Sequence, residues 1–420
     1  VIALVLVSDF QFRLRDNTQA VSGNADPFVL LEVGTYAAVA LFLYVKFRPR
    51  PRLHRTSRLV LLGYAYAAVL VLSALYAPYV ALAMVRAGQV AVAVALFRCV
   101  ALHTDPHTPH RIAHAYAVLI AASAVFGVLV PFPRPPLQQE RFTWLYVHPV
   151  QAGEMLAIAT VVLAAYLLTG GLPRNGPHWR PGAYLFLLAI CGGALLATRT
   201  RGAVLGAAVG IAVLLWTRWR GVRKFELAIV GSVALAVVLV SSSDAIEAYF
   251  ARGESAERLA TLNSRTELWA QAFDAFAEHP LYGWGLTATR GLFLKTMGLG
   301  GGHNALINLL VDTGILGAVA WLALLVGILV AAYRLTRRKD EPRVDGMLVS
   351  AVLLGMMANS IFTESLGAPA NAAFTWLYLL LAWVLQARAQ AGRLDASAPL
   401  PPYGTGSLAI TRNTRRKSAK

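Results

Sequence analysis

The chain has 420 residues, 57% of them hydrophobic and only 14% charged, with a mean hydropathy of +0.57. The apolar residues run in blocks of about 16 to 22 rather than in amphipathic stripes, which excludes a soluble globular domain and defines an all-α integral membrane protein. The net charge of +17 would point to nucleic acid in a soluble protein, but here the basic residues gather in the loops between apolar blocks, so the membrane accounts for the charge and no nucleic acid is expected.

A hydrocarbon core about 30 Å thick needs roughly 20 helical residues. The run Val1–Val7 reads as the remnant of a first span. Further spans are expected near 28–46, 57–76, 77–98, 111–131, 148–169, 182–197, 202–217, 224–241, 315–335, 345–363 and 367–386, about twelve in all. The expected organisation is transmembrane helices with short loops over 1–241, an outer loop with amphipathic helices over 242–314, three spans over 315–388, and a basic disordered cytoplasmic tail over 389–420. Cys99 and Cys191 stand too far apart in pattern to form a disulfide framework or a metal site.

Orientation follows from the Lys and Arg bias of the loops. With the tail cytoplasmic, alternate loops and the tail hold 26 of the 38 basic residues, including the runs Lys46 to Arg58 and Arg334 to Lys339. Eleven fall on the other face, and ten of these are arginine: Arg13, Arg15, Arg134, Arg141, Arg199, Arg201, Arg252, Arg258, Arg265 and Arg290, with Lys295 the exception. Arginine is a permanent cation whose planar fork matches phosphate oxygens. Arg199 and Arg201 occupy a short outer turn, Thr198 to Gly202, where an anionic lipid head group would be met. Arg86 lies within a span beside Gln89, and such a charge is either functional or ion-paired, with Glu32 and Glu154 the available partners.

The long outer segment carries the densest pattern. Ser264 and Glu267 form a capping box, and Leu268, Trp269, Ala272, Phe273 and Phe276 make one apolar helical face. Arg265 falls in the first turn, where free N–H groups already favour an anion. Pro280 ends that helix, and the glycines of 283–285 and 298–302 suit a mobile, substrate-admitting loop. His303 and Asn304 then open another helix, with a histidine able to exchange a proton near neutral pH.

Several of these elements together resemble the bacterial O-antigen ligase and polymerase superfamily. They are Ser264-Arg265 with Trp269, His279-Pro280 with Gly283-Trp284-Gly285, His303-Asn304 with Leu309 and Gly314 to Gly317, the arginine turn Thr198 to Gly202, and His148-Pro149 after an aromatic loop. The resemblance implies a GT-C-like multi-helix glycosyltransferase with a periplasmic active site in the bacterial inner membrane. It would be metal-independent, inverting and without cofactor. The donor would be an undecaprenyl-pyrophosphate-linked glycan and the acceptor a lipid A–core hydroxyl, among membrane lipids.

The residues fit that chemistry. Breaking a sugar–pyrophosphate bond develops negative charge that a metal or fixed cations must stabilise, and the outer segments have no Asp-x-Asp pair to hold a metal. Arg265 and His303 are the expected catalytic pair. Arg199, Arg201, Arg86, Arg141, His148 and Asn304 are expected to bind substrate. An O-antigen polymerase and a protein O-oligosaccharyltransferase share the motifs and differ in acceptor. A secondary transporter would instead show charged or broken helices near mid-membrane, and a non-catalytic scaffold has no need of arginines in a tight surface turn.

Overall fold

The computed structural model describes residues 1–14, 17–22, 24–46, 57–103, 105–134, 138, 140–170, 179–219, 226, 265–298, 300–369 and 371–397. The expected span at 224–241, Ser264, Arg15, Arg252, Arg258, most of the basic run after Lys46 and the tail from 398 lie outside these residues. The described residues form helices α1 (Ile2–Asp9), α2 (Asn17–Val21), α3 (Pro27–Lys46), α4 (Arg58–Ser73, extended by a 3-10 turn Ala74–Tyr76), α5 (Val80–His103), α6 (Thr108–Leu129), α7 (Pro149–Thr169), α8 (Pro181–Ala197), α9 (Arg201–Arg218), α10 (Arg265–Glu278), α11 (Ala288–Met297), α12 (Ala305–Thr336), α13 (Pro342–Ser360) and α14 (Ala372–Ser397). No strand occurs among them.

Among the described residues, eight helices are long and apolar enough to cross a membrane: α3, α4 with its extension, α5, α6, α7, α9, α12 and α14. The described chain is therefore all-helical and of multi-pass membrane character; eight of the about twelve expected spans meet these criteria there, and the one expected at 224–241 lies outside the described residues. The difference has identifiable causes. α1 has eight residues, α8 is an apolar helix of seventeen, and α13 opens with Arg343 and Asp345 in its first turns. Three boundaries also move. α5 starts at Val80, which brings Arg86 to its second turn. α14 begins at Ala372 rather than 367, because residues 361–371 form an irregular connection. It continues to Ser397, its end tied by Arg338, which donates to Asp395 at 2.6 Å.

Two helices make the centre of the bundle: α7 and α14 are buried along most of their length. α9 meets α13 through glycines spaced four apart. A Cβ on Gly206 would stand 2.6 Å from the Gly355 carbonyl oxygen, and one on Gly210 would stand 3.0 Å from that of Ala351. This is close approach through small residues, the usual way membrane helices gain packing where lipid is as apolar as the protein.

At the end of the bundle formed by the starts of α6 and α13, a buried polar network joins five helices. His110 Nε2 lies 2.9 Å from Asp345 Oδ1, which also accepts from the Trp383 indole at 2.8 Å. His110 Nδ1 meets the Tyr166 hydroxyl at 3.1 Å, and His114 Nε2 meets the Tyr184 hydroxyl at 2.8 Å. Each polar group thereby finds a partner inside the protein, as a low-dielectric interior requires.

Near its other end, α12 is broken at Gly314, whose φ of 63° and ψ of −163° belong to a region essentially restricted to glycine. The break frees backbone groups, and the segment after α10 takes them up. Trp284 N donates to the Val311 carbonyl and Gly285 N to that of Asp312, both at 2.8 Å. In the other direction, Ile315 N donates to Pro280 O at 2.9 Å and Leu316 N to Leu281 O at 3.2 Å. A Cβ on Gly314 would sit 2.4 Å from Leu281 backbone, and one on Gly283 would sit 2.5 Å from that of Asp312. The glycines at 283–285 thus serve close backbone contact rather than the mobile loop expected from their composition. Replacing Gly314 by Ala should destabilise the protein by about 1–3 kcal/mol, read as a lower thermal midpoint in detergent; an unchanged midpoint would show that the two segments are not clamped in this way.

Candidate functional site

The arginine turn and the His303 loop border the connection 361–371, and the local sequence explains why that connection is rigid. Asn371 caps α14 by accepting from Phe374 N at 2.8 Å, and its amide donates to the carbonyls of Ser365 and Ala368, both at 2.9 Å. The Tyr66 hydroxyl of α4 donates to the Gly367 carbonyl at 2.6 Å. From α7, Glu154 accepts from the Ser365 hydroxyl at 2.5 Å. A small void lies beneath this floor, lined by Glu154, Val161, Gly206, Gly355 and Asn359 among others.

The arginine turn sits at one edge. α8 ends at Ala197, Arg199 adopts φ of +50°, and α9 begins at Arg201. Gly202 brings α9 against Asn359 and Phe362 at the end of α13. Arg141 braces the turn, donating from Nε to the Thr198 carbonyl at 3.0 Å and from an η nitrogen to the Thr200 hydroxyl at 2.9 Å. Thr200 in turn donates to the Pro149 carbonyl at 3.0 Å, which ties the turn to the start of α7. Arg199 is paired with Glu140 at 2.6 Å, and Arg201 is half-buried.

His148 is the N-cap of α7, its Nδ1 accepting from Val150 N at 3.2 Å. The residue is exposed, although protein crowds the ring closely enough to strip part of its hydration. Loss of hydration pushes its pKa down to about 4, with Arg141 and His303 adding to the shift in that order. His148 thus lies within electrostatic range of both Arg141 and His303.

His303 has φ of +52° and is one of four described non-glycine residues at positive φ, the others being Leu145, Arg199 and Thr287. Its Nδ1 stands 3.9 Å from Glu364 Oε2 of the central connection. Asn304 is fully engaged: its side-chain oxygen caps α12 by accepting from Ile307 N at 3.1 Å, and its amide donates to the Ile361 carbonyl at 3.1 Å. Asn304 therefore positions the His303 loop against the connection. α10 packs on α12 through Leu268, Ala272, Ile307 and Val311, with Phe293 of α11 in the same cluster, and Trp269 donates to the Gly302 carbonyl at 3.0 Å. Arg265 opens α10, but its side chain lies outside the described residues.

Arg86 is ion-paired. It donates to Glu32 at 3.3 Å and to Gln89 at 2.8 Å, while the Gln89 amide donates to the same Glu32 oxygen at 2.6 Å. That satisfied triad is the second of the two outcomes open to a charge in a span. Between it and the central connection lies Arg290, on α11, within electrostatic range of Arg86, Glu364, Asp312 and Glu32. Among the described residues no carboxylate reaches ion-pairing distance of Arg290. Burial lowers its pKa from the usual arginine value, and Arg86 adds to the shift.

Glu364 carries no signal in the sequence, and Glu154 stood there only as a partner for Arg86, a place that Glu32 takes. Glu154 meets Ser365 instead, across 211 residues of chain. Arg290 stood among the outer arginines, and that list was its only signal. Among the described residues no group of three or more His, Cys, Asp or Glu is disposed as a metal site.

The apolar spans define a protein of multi-pass membrane character. Residues 185–322 match the O-antigen ligase family, a stretch that includes Arg199, Arg201, Arg265, Arg290, His303 and Asn304. The chain is also 30% identical over 190 residues to an O-antigen ligase from Pseudomonas aeruginosa, covering 45% of this chain and 43% of that protein. The alignment spans less than half the length of that relative.

The fold keeps His148 neutral in a pH range where the unfolded chain protonates it near 6.5. Stability should therefore fall as pH drops from about 6.5 toward 4, because the unfolded state takes up a proton that the native state refuses. His148→Asn, which retains a capping acceptor, should lose less thermal stability between pH 7 and pH 5 than the wild type; equal losses would show that His148 is not held neutral.

Proposed function

We propose that the protein is an O-antigen ligase, a membrane enzyme that moves a glycan from undecaprenyl pyrophosphate to a lipid A–core hydroxyl on the periplasmic face, with inversion at the anomeric carbon. What supports this reading is that the arginine turn and the His303 loop both border the connection 361–371 and both fall inside the stretch that matches the family. A glycan donor on a lipid pyrophosphate needs fixed positive charge where the leaving group departs and a base where the acceptor arrives.

Arg201 and Arg265, each at the first turn of its helix, supply charge where backbone N–H groups also point. Arg290, without a carboxylate partner among the described residues, adds a third cation. Arg199 exchanges its pairing with the exposed Glu140 for the pyrophosphate. Arg86 and Arg141 are engaged elsewhere, so their contribution is to shape the walls. On this reading His303 takes the proton from the acceptor hydroxyl, the oxygen attacks the anomeric carbon, and the bond to the pyrophosphate breaks with its electron pair going to the leaving phosphate. One displacement inverts the centre.

The broken α12 also belongs in the comparison with a transporter. Broken helices in transporters leave backbone groups to line a mid-membrane cavity. Here the freed groups are all taken by residues 280–285, close to the His303 end of the helix.

The test is transfer in vitro with purified protein, lipid-pyrophosphate glycan and lipid A–core in EDTA. Lipid A–core carrying glycan is the expected product. His303→Ala should cost roughly a hundred- to ten-thousand-fold, and Arg201→Ala or Arg265→Ala roughly a hundred- to thousand-fold, at normal membrane abundance. Lengthening of the lipid-linked glycan with no ligated product would make the protein a polymerase instead.

A further inference from the structure

Glu364 is the residue whose surroundings the proposed chemistry leaves unexplained. It faces His303 Nδ1 at 3.9 Å, with about a quarter of its side chain exposed against two-fifths for the histidine. The loop that carries His303 is shaped around it: a Cβ on Gly301 would come 2.8 Å from Glu364 Oε1, so the carboxylate occupies the space that a side chain at 301 would take. Its backbone is pinned. The Glu364 carbonyl accepts from Gly367 N at 3.2 Å and Ala368 N at 3.1 Å, and the next residue, Ser365, is held by Glu154. The histidine is held just as firmly, in a left-handed backbone conformation between the Gly302 carbonyl bound by Trp269 and the Asn304 cap. Strain of this kind persists where the surroundings over-determine it, and here both sides of the His303–Glu364 contact are over-determined.

We propose that Glu364 is the positioning residue of His303. A carboxylate at Nδ1 favours the tautomer with its proton on that nitrogen, which leaves the Nε2 lone pair free to receive the acceptor's proton. It also stabilises the imidazolium that forms as the proton arrives, drawing the N–H and carboxylate together across the remaining gap. The other charged groups facing this pair are His148 and Arg141 from the start of α7 and its preceding loop, Glu154 from α7 and Arg290 from α11. Of these, Arg141 and Arg290 oppose a protonated His303, while His148 is held neutral and Glu154 is occupied by Ser365. Glu364 is thus the carboxylate that makes a strong base tenable among cations. The inference rests on reading His303 as the base.

The experiment is the pH dependence of transfer for the wild type, His303→Ala, Glu364→Gln and Gly301→Ala, each normalised to membrane abundance. The wild type should gain activity as His303 loses its proton on the acidic limb. Glu364→Gln removes the negative charge and keeps the shape, so His303 becomes a weaker base. The limb should move to lower pH by roughly one unit, and kcat should fall roughly ten- to hundredfold with both KM values little changed. Gly301→Ala, which alters no titratable group but displaces the carboxylate, should shift the limb in the same direction. A lower kcat with the limb in its wild-type place, or wild-type behaviour in both variants, overturns the proposal while leaving His303 as base. No transfer by the wild type at any pH overturns the ligase reading and this inference with it, so the wild-type and His303→Ala arms tell the two failures apart.

Discussion

A backbone placed away from water must satisfy its own hydrogen-bonding groups, and the break in α12 shows how much of this molecule follows from that rule. Once Gly314 interrupts the helix, four backbone groups need partners, and residues 280–285 supply all of them. The same residues reach α4, where the Tyr76 hydroxyl donates to Tyr282 O at 2.6 Å and Leu286 N donates to Ser73 O at 3.3 Å. Asp312, just before the break, accepts from Thr289 N at 2.8 Å and so fixes the start of α11. The segment between α10 and α12 is therefore clamped at both ends. Arg290 and His303, which it carries, take up defined places relative to the spans.

The site has two kinds of residue. Some nominated side chains meet open space, as His303 and His148 do; others are consumed by the structure. Asn304 spends its amide and its oxygen on a cap and a tie, and Arg141 holds a turn. Such residues matter to binding by fixing geometry, since a misplacement of about 1 Å in a reacting group can cost roughly a hundredfold. The distinction also separates Arg86, neutralised by Glu32, from Arg290: of the two arginines, only Arg86 has a carboxylate partner among the described residues.

The helices were legible in the sequence because long apolar blocks leave few other structures possible. The cap at Asn304, the end of α10 before Pro280 and the turn at 198–201 were legible through local rules of capping and proline geometry. The clamp at Gly314 was not, because its two partners are distant in sequence and glycine composition alone cannot distinguish freedom from close contact. The same holds for Glu364. A lone carboxylate between two apolar blocks has no periodicity, and its meaning comes from the histidine that folding brings beside it.

The network of His110, Asp345, Tyr166 and Trp383 lies far along the bundle from His303, and its consequence is electrical. A protein that builds a polar recess into one end of a helical bundle invites water toward the other end, and a continuous wet path would let ions leak down their gradient. Here the far end is closed by side chains whose polar atoms bond to one another, with bulky rings of Tyr166, Tyr184, Trp179 and Trp383 stacked or tilted against the two histidines. Side chains bonded to one another in this way suit an energised membrane, where loose water at that end of the described bundle would give ions a path down their gradient.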